Sequence, residues 1–460
     1  MDRPYGPAPI IATAVIASLT TSPCVRQHRR SIGGNHIAGA RQVTYPAVLL
    51  ASGKRWPLAA RLAMALAQHG CAVSAICPPG HPLLHVRSVR KIYPYQSLTS
   101  RASLLSAIAD LQPDVIVPCD DRLVAQLHEI YAGHAELRPL IARSLGDPAG
   151  FGIVESRERL LETAAALGIR VPASCALASE EDASRCYSQY DAPAVLKLDG
   201  TCGGEGVQLA RSRIEAAAAF RRLGKTARLG TTLKRLVVDR DPEALWSWSR
   251  RQRLGVSIQK FIGGIPANIM VACWQGEILG EVSVQTVSSQ GLMGASNVVR
   301  LINNAELSRA ARLLGARLGM SGFFGLDFVL EHGTEAAYLI EMNPRSTQLG
   351  HLRLPRGDLA GAWCAALTGG VHPPAGPVIE CDTIAFFPQA WLWGARNLDP
   401  QRVHHDVPWD EKGLVEYLTR GPWQERQWPT RLYHLFRRQA PRVAVEFEAL
   451  PAMPARPAQL

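Results

Sequence analysis

Apolar positions along the chain switch between two periods, and each switch marks an element. Ala47–Ala51 (AVLLA) is an unbroken apolar run with the length of a buried strand. Ser52–Pro57 follows as a turn. Leu58–His69 then sets Ala59, Leu62, Ala63 and Leu66 on one side at helical spacing and stops at Gly70. Ala72–Ile76 predicts a second strand, and Leu104–Leu111 a helix ending before Pro113. Val115–Pro118 predicts a third strand that closes on Cys119-Asp120-Asp121. Strands separated by helices imply a parallel sheet of Rossmann-like type.

A second unit begins near Glu155. The spacing predicts a helix over Ser156–Leu167, with Ser156 as N-cap and Gly168 as its stop. Val171-Pro172 starts an extended segment. Ala194–Leu198 and Val207–Ala210 read as strands joined by a glycine-rich loop, and Ile214–Leu223 as a helix. Strands follow at Val256–Ile262 and Ala267–Trp274, then an amphipathic helix over Leu307–Leu318 ended by Gly319. Gly325–Leu330 and Ala337–Met342 pair around Gly333, and Leu359–Leu367 is a helix closed by Gly369-Gly370. Residues 1–44 show no sustained period and read as a disordered tail. Beyond Val371 the chain is rich in Pro and Trp. The expected parts are a tail over 1–44, a Rossmann-like domain over 45–150, an α+β domain over 151–372 and a small appendage over 373–460.

Composition narrows the class without naming a function. With 460 residues, the chain exceeds one hydrophobic core, and roughly two to four domains are expected. At 47% hydrophobic and 19% charged residues it can build those cores without disulfides. The net charge of +11 suits nucleic acid, an anionic membrane or a polyanionic small substrate such as a nucleotide. Its basic clusters are short (Arg26/Arg29/Arg30, Arg250/Arg251/Arg253, Arg437/Arg438), so the small substrate is favoured and neither nucleic acid nor membrane is expected as a partner. The ten cysteines include no C-x-x-C pair, which removes zinc ribbons and thioredoxin-like sites and suits a reduced, cytoplasmic protein. No apolar run is long enough to cross a membrane. Ile10–Leu19 lacks the basic flank and cleavage site of a signal sequence.

Four stretches carry candidate chemistry. The first turn, Ser52-Gly53-Lys54-Arg55-Trp56-Pro57, has one glycine where a dinucleotide fingerprint needs three. Asp120 and Asp121 end a strand, where α/β sheets place ligands, and equally suit a helix cap. Thr201-Cys202-Gly203-Gly204-Glu205-Gly206 runs from strand to strand, unlike a Walker loop, with Lys197 shortly before it. It reads either as a flap whose amides fold over phosphates or as an ordinary hairpin beside a solvated lysine.

Gly322–Arg345 reads GFFGLDFVLEHGTEAAYLIEMNPR. A hairpin loop centred on Thr334 sets Asp327 opposite Glu341 on one face, with Asn343 and Arg345 following at strand period on that side. Facing carboxylates repel unless a cation relieves them, and magnesium takes one or two carboxylates together with nucleotide phosphates. Arg345 adds a cationic fork suited to a carboxylate or a phosphoryl group. The alternative is a polar sheet face with surface pairs.

In this order Lys197, the Gly203-Gly204-Glu205-Gly206 loop, Gln259-Lys260-Phe261-Ile262, Asp327 and Glu341-Met342-Asn343-Pro344-Arg345 resemble the ATP-grasp superfamily, and most closely its carbamoyl-phosphate-synthase-like and biotin-carboxylase-like branch. The likeness spans roughly residues 47–370, and E-x-N-P-R is its most specific piece. It implies a Rossmann-like pre-ATP-grasp domain, then a two-subdomain ATP-grasp fold with its lid at about 190–260, with ATP and Mg2+ (or Mn2+) as cofactors. Lys197 then contacts phosphate and adenine, Arg157 contacts phosphate, Gly203, Gly204 and Gly206 cover it, and Gln259, Lys260, Phe261 and Ile262 line the adenine. Asp327, Glu341 and Asn343 hold the metal, and Arg345 stabilises an acyl-phosphate. Gln259 stands where the family usually has an acidic residue, and Arg157 where lysine is commoner. Arg300 is a further candidate for substrate or phosphate, and His351 faces the substrate or is simply packed. The implied activity is an ADP-forming carboxylate–amine ligase on small-molecule substrates, with a homodimer allowed. A phosphotransferase and a lapsed nucleotide-binding regulator remain as alternatives.

Overall fold

The computed structural model describes residues 46–190, 193–198, 206–224, 255–291, 294–355, 357–370, 378–393, 401–421 and a few isolated positions. The first sheet contains β1 (Ala47–Ala51), β2 (Ala72–Cys77), β3 (Ile92–Pro94) and β4 (Val115–Pro118), all parallel, in the order β3-β2-β1-β4. Helices α1 (Pro57–Gln68), α2 (Ser100–Leu111) and α3 (Asp121–Gly133) connect and cover it, followed by α4 (Arg138–Leu145). Both faces are buried. Leu49, Ala51, Ile76 and Ile116 pack on α2 and α3, while Val48, Leu50, Val73, Ala75 and Val117 pack on α1. That two-sided burial explains the unbroken apolar runs in the sequence.

Helix α5 (Arg157–Ala166) opens the second unit, with the Ser156 hydroxyl accepting from Arg159 N–H as its cap. A four-stranded antiparallel sheet follows, formed by β5 (Ser174–Leu177), β6 (Ala194–Leu198), β7 (Val207–Ala210) and β8 (Val256–Lys260) in the order β5-β8-β6-β7. Helices α6 (Glu180–Tyr187) and α7 (Arg213–Gly224) pack on one side of it. The chain then builds an eight-stranded sheet. Its strands β9 (Gly264–Trp274), β10 (Glu277–Ser289), β11 (Ser296–Leu301), β12 (Gly322–Glu331), β13 (Ala337–Asn343), β14 (Thr383–Phe386) and β15 (Val403–Asp406) run in the order β13-β12-β9-β10-β11-β14-β15, and Val445–Glu446 adds a short strand beside β10.

One face of this large sheet packs against α5 and α8 (Ala305–Leu318), through Ile269, Val271, Phe324, Leu326 and Phe328. The other face carries Met270, Ala272, Phe323 and Val299 against the first sheet's α1 and against α9 (Leu359–Thr368). Strand parity therefore decides which side chains can meet in the cleft between the units.

The segment past 372 does not fold apart as a small appendage. β14 and β15 lengthen the large sheet, and α10 (Lys412–Thr419) joins the core beside α1. Of the expected tail, Val25–Arg26 pairs with Val378–Ile379, and the rest of 1–44 lies outside the described residues. Seven described cysteines are free, whereas Cys381 is disulfide-bonded, which departs from a wholly reduced chain. No helix among the described residues is long and apolar enough to cross a membrane.

Candidate active site

Asp327 and Glu341 are register partners on β12 and β13. The hairpin does not reach this pairing by the uniform register read from sequence. From Leu330↔Ala337 to Phe328↔Leu339 the pairs would bring Ile340 opposite Asp327; the register shifts between Asp327 and Phe328 and brings Glu341 there instead. The extra residue re-aims the strand end so that both carboxylates leave the sheet on the cleft side, a common use of a bulge beside a site.

A third strand contributes a residue the sequence reading missed. Asn268 on β9 is the register partner of Asp327, and its amide Nδ2 donates to Asp327 Oδ1 at 2.5 Å. Asn343 Nδ2 donates to Asp327 Oδ2 at 2.8 Å. Burial, reinforced by the negative charge of Glu341, pushes the Asp327 carboxyl up to about 6. The signal for Asn268 was a polar residue in an apolar strand, on the same parity as the cleft-facing Met270.

Cations gather from the other elements. Arg157, first residue of α5, donates from Nη2 to Glu341 Oε1 at 2.8 Å. Lys197 on β6 is only 8% exposed and donates from Nζ to Gln259 Oε1 on β8 at 2.8 Å. Burial pulls the Lys197 ammonium down to about 8, with the Arg157 charge acting the same way and Glu341 and Asp327 opposing. Arg345 is buried just beyond β13. Its Nε donates to Asp121 Oδ1 at 2.9 Å, its Nη2 to Asn343 Oδ1 at 2.9 Å and its Nη1 to the Ser346 carbonyl at 3.3 Å. Burial works against the Arg345 charge, and the carboxylates of Asp121, Asp120 and Asp327 together more than offset it.

Asp120 and Asp121 divide the roles that the sequence left open. Asp120 is fully buried and caps α3 by accepting from Leu123 N–H at 3.2 Å. Its other oxygen accepts from Gly53 N–H at 2.6 Å and Lys54 N–H at 3.3 Å, which ties the β4 turn to the β1 turn. Asp121 instead reaches across to Arg345.

The structure thus brings together Arg157, Lys197, Gln259, Asp327, Glu341, Asn343 and Arg345. Lys260, Phe261 and Ile262 lie at the passage from β8 to β9, where Lys260 N–H and Phe261 N–H are engaged by the Ala173 and Pro193 carbonyls at 2.8 Å each. Those two amides are not available to a base, so any backbone contact there falls to other groups. Gly206 sits at the end of the loop with φ +75°, a conformation that favours glycine. Gly203 and Gly204 lie outside the described residues.

Arg300 is not brought to the cleft. It pairs with Gln285 and Thr383, and Gln285 with Ala267, which places Arg300 on the face opposite Asn268 and Asp327. His351 is packed: its Nε2 meets Asp406 Oδ2 at 2.8 Å, and Arg61 Nη2 bonds the other Asp406 oxygen.

The described residues contain no group of three or more His, Cys, Asp or Glu side chains placed to hold a metal. A divalent cation fits the oxygen set nonetheless. Asp327 and Glu341 face each other, Asn343 lies beside them, and the Asn268 carbonyl Oδ1 is buried with no hydrogen-bond partner. This all-oxygen set with two carboxylates suits magnesium, whose remaining positions fall to water and phosphate.

Comparison with known proteins bears on the fold. Residues 234–348 match the ATP-grasp domain family. No curated protein matches the chain. Among solved structures, the biotin carboxylase domain of Hydrogenobacter thermophilus 2-oxoglutarate carboxylase, in complex with MgADP, ADP and bicarbonate, aligns at TM-score 0.54 and 16% identity over 72% of each chain. Biotin carboxylase from Campylobacter jejuni aligns at TM-score 0.52 and 15% identity, again over 72% of each chain. N5-carboxyaminoimidazole synthase from Aspergillus clavatus, in complex with ADP and 5-aminoimidazole ribonucleotide, aligns at TM-score 0.52 and 15% identity over 72% of this chain and 78% of that one. The chain carries an ATP-grasp domain and shares the multidomain α/β fold of these ATP-grasp ligases.

Proposed function

We propose that this chain is an ATP-dependent ligase that activates a carboxylate as an acyl-phosphate and joins it to an amine, releasing ADP and phosphate. The observation that carries this reading is the convergence of three kinds of group on one cleft. Two cations face it, Lys197 from the four-stranded sheet and Arg157 from the start of α5. Oxygen donors Asp327, Glu341, Asn343 and Asn268 stand on the large sheet. Arg345 closes the cleft toward the first sheet.

Each group has a task in such a reaction. Lys197 and Arg157 hold the phosphates of ATP. Gln259, Lys260, Phe261 and Ile262 border the base, and Gly203, Gly204 and Gly206 cover the phosphates. Magnesium, when bound, neutralises charge on the transferring phosphoryl group; Asp327, Glu341 and Asn343 would hold it. Arg345 faces the charge that develops on the acyl-phosphate, where a preoriented donor is worth most. No side-chain nucleophile is required.

The test is phosphate release that requires both a carboxylate and an amine. Hydroxylamine added in place of the amine should yield a hydroxamate, which only an acyl-phosphate produces. Glu341→Gln should lower turnover by about a thousandfold or more, on the scale of losing transition-state charge stabilisation. Unchanged turnover in that variant would sink the metal assignment.

A further inference from the structure

The first sheet has a switch point between β1 and β4. From β1 the chain proceeds outward to β2 and β3, then returns to place β4 on the other side of β1. In open α/β sheets, ligands bind in the crevice at the carboxyl ends of the strands where the order reverses. Two turns border that crevice here: Ser52–Trp56 after β1 and Cys119–Asp121 after β4. Asp120 fixes their separation through its bonds to Gly53 and Lys54 N–H.

Arg345 enters the same place from the large sheet. Its guanidinium lies 5.1 Å from the Trp56 ring centroid, and Lys54 Nζ lies 5.0 Å from the same ring. Two cations thus flank one aromatic face; Asp120 lies within electrostatic reach of both, and Asp121 bonds Arg345 directly. Asp121 is the informative member. Supporting the buried Arg345 charge occupies only one of its two carboxylate oxygens. The Asp121 side chain is 45% exposed, against 7% for Arg345. Its Oδ1 is taken by Arg345, and its Oδ2 accepts no hydrogen bond from any described residue.

A carboxylate acceptor on the open side, directly beside a guanidinium, is complementary to a molecule carrying the reverse pair of charges on neighbouring atoms. An α-amino acid is such a molecule. Its carboxylate matches Arg345 and its ammonium matches Asp121 Oδ2. We propose that this crevice binds an α-amino acid as the acid substrate of the ligase, and that Asp121 selects it through its ammonium group. The inference rests on the ligase reading above. It also assigns the substrate's role. An amine held as an ammonium on Asp121 keeps its proton and cannot attack, so the amino acid reacts through its carboxylate. A carboxylate oxygen bonds to the γ-phosphorus of ATP as the bond to ADP breaks. A second, free amine then bonds to the acyl carbon, phosphate leaves with the C–O bond pair, and the amine proton passes to solvent.

The experiment is calorimetry on the full chain with each of the twenty proteinogenic amino acids and their des-amino counterparts (propionate for alanine, 3-phenylpropionate for phenylalanine). Titrations run with and without magnesium and a non-hydrolysable ATP analogue. At least one amino acid should bind about tenfold or more tighter than its des-amino partner, the scale of one charge-assisted hydrogen bond. Asp121→Asn should weaken that amino acid by about 10- to 100-fold and its des-amino partner by no more than about threefold. Absence of any preference for the amino group overturns the proposal, and so does an equal loss on both partners, which would make Asp121 only a support for Arg345. Failure of the ATP analogue to bind would instead sink the ligase reading, while the titrations without nucleotide would still decide the role of Asp121.

Discussion

The two ends of the cleft hold charge in different ways. At the large-sheet end every charged group is cross-linked within the protein. Asp327 is clamped by Asn268 and Asn343, Glu341 by Arg157, and Arg345 by Asp121, Asn343 and the Ser346 carbonyl. At the other end a buried ammonium, Lys197, rests on a neutral amide, Gln259. Gln259 supplies a hydrogen bond but no charge, so burial and Arg157 draw Lys197 down to about 8. The first end is preorganised, with its geometry set before substrate arrives. The second is poised, because Lys197 has no directly bonded counter-charge and Glu341 and Asp327 offset its burial only in part until an anion such as a triphosphate arrives.

This contrast predicts effects of different kind and size. The largest belongs to the preorganised end. Arg345→Lys keeps the positive charge and loses the planar fork that spans Asp121 and Asn343. We expect kcat to fall about 10²- to 10³-fold, as for loss of a positioned transition-state donor, with affinity for a non-hydrolysable ATP analogue changed by less than about threefold. Rapid-quench turnover beside equilibrium nucleotide binding separates the two. Equal losses in both would mean that Arg345 serves binding in general.

A smaller effect is expected at Asn268, which touches Asp327 and offers one unsatisfied carbonyl oxygen. Asn268→Ala should weaken Mn2+ binding to the nucleotide-bound protein by about tenfold, the lower end of what a partner behind a metal ligand contributes. Paramagnetic resonance of bound Mn2+ measures this without turnover. An unaltered affinity would show that Asp327 is oriented by Asn343 alone.

How far the sequence revealed this arrangement depended on what each strand buries. The first sheet was legible because both its faces are apolar and its strands are bounded by turns, so β1, β2 and β4 stand out as short runs. Asp327, Glu341 and Asn343 were legible because acids and an amide recur at strand spacing inside an apolar hairpin. Even there the bulge was invisible, since a one-residue offset leaves no mark on composition. β10 was missed although it is 13 residues long. Its interior positions include Ser283, Thr286, Ser288 and Ser289, all buried, so polar residues fill positions that a pattern reading expects to be apolar. The misplaced candidate, Arg300, needed strand parity across three neighbours to be excluded, and that register is a tertiary fact. The Asp121–Arg345 bond joins residues 224 positions apart and had no local signature.

The smallest expected effect tests the poised end directly. Gln259→Glu places a carboxylate where a neutral amide now accepts from Lys197, so the lysine pKa should rise from about 8 toward its ordinary 10.5. In the wild type the ammonium that meets phosphate is lost above about pH 8, so KM for ATP should climb on that side. In the variant the climb should begin about one unit or more higher in pH, while KM at neutral pH shifts by only a few-fold because the added negative charge also repels phosphate. Stability of the nucleotide-free protein should move in step. Lys197 has a lower pKa folded than unfolded, so between about 8 and 10.5 the unfolded chain holds more protons and the unfolding free energy rises with pH. Gln259→Glu should flatten that rise. Nitrogen-detected NMR of the lysine ammonium, KM for ATP against pH, and denaturant midpoints against pH read the same proton in three ways. An alkaline limb at the same pH in both proteins would place the titrating group elsewhere and remove the contrast between the two ends.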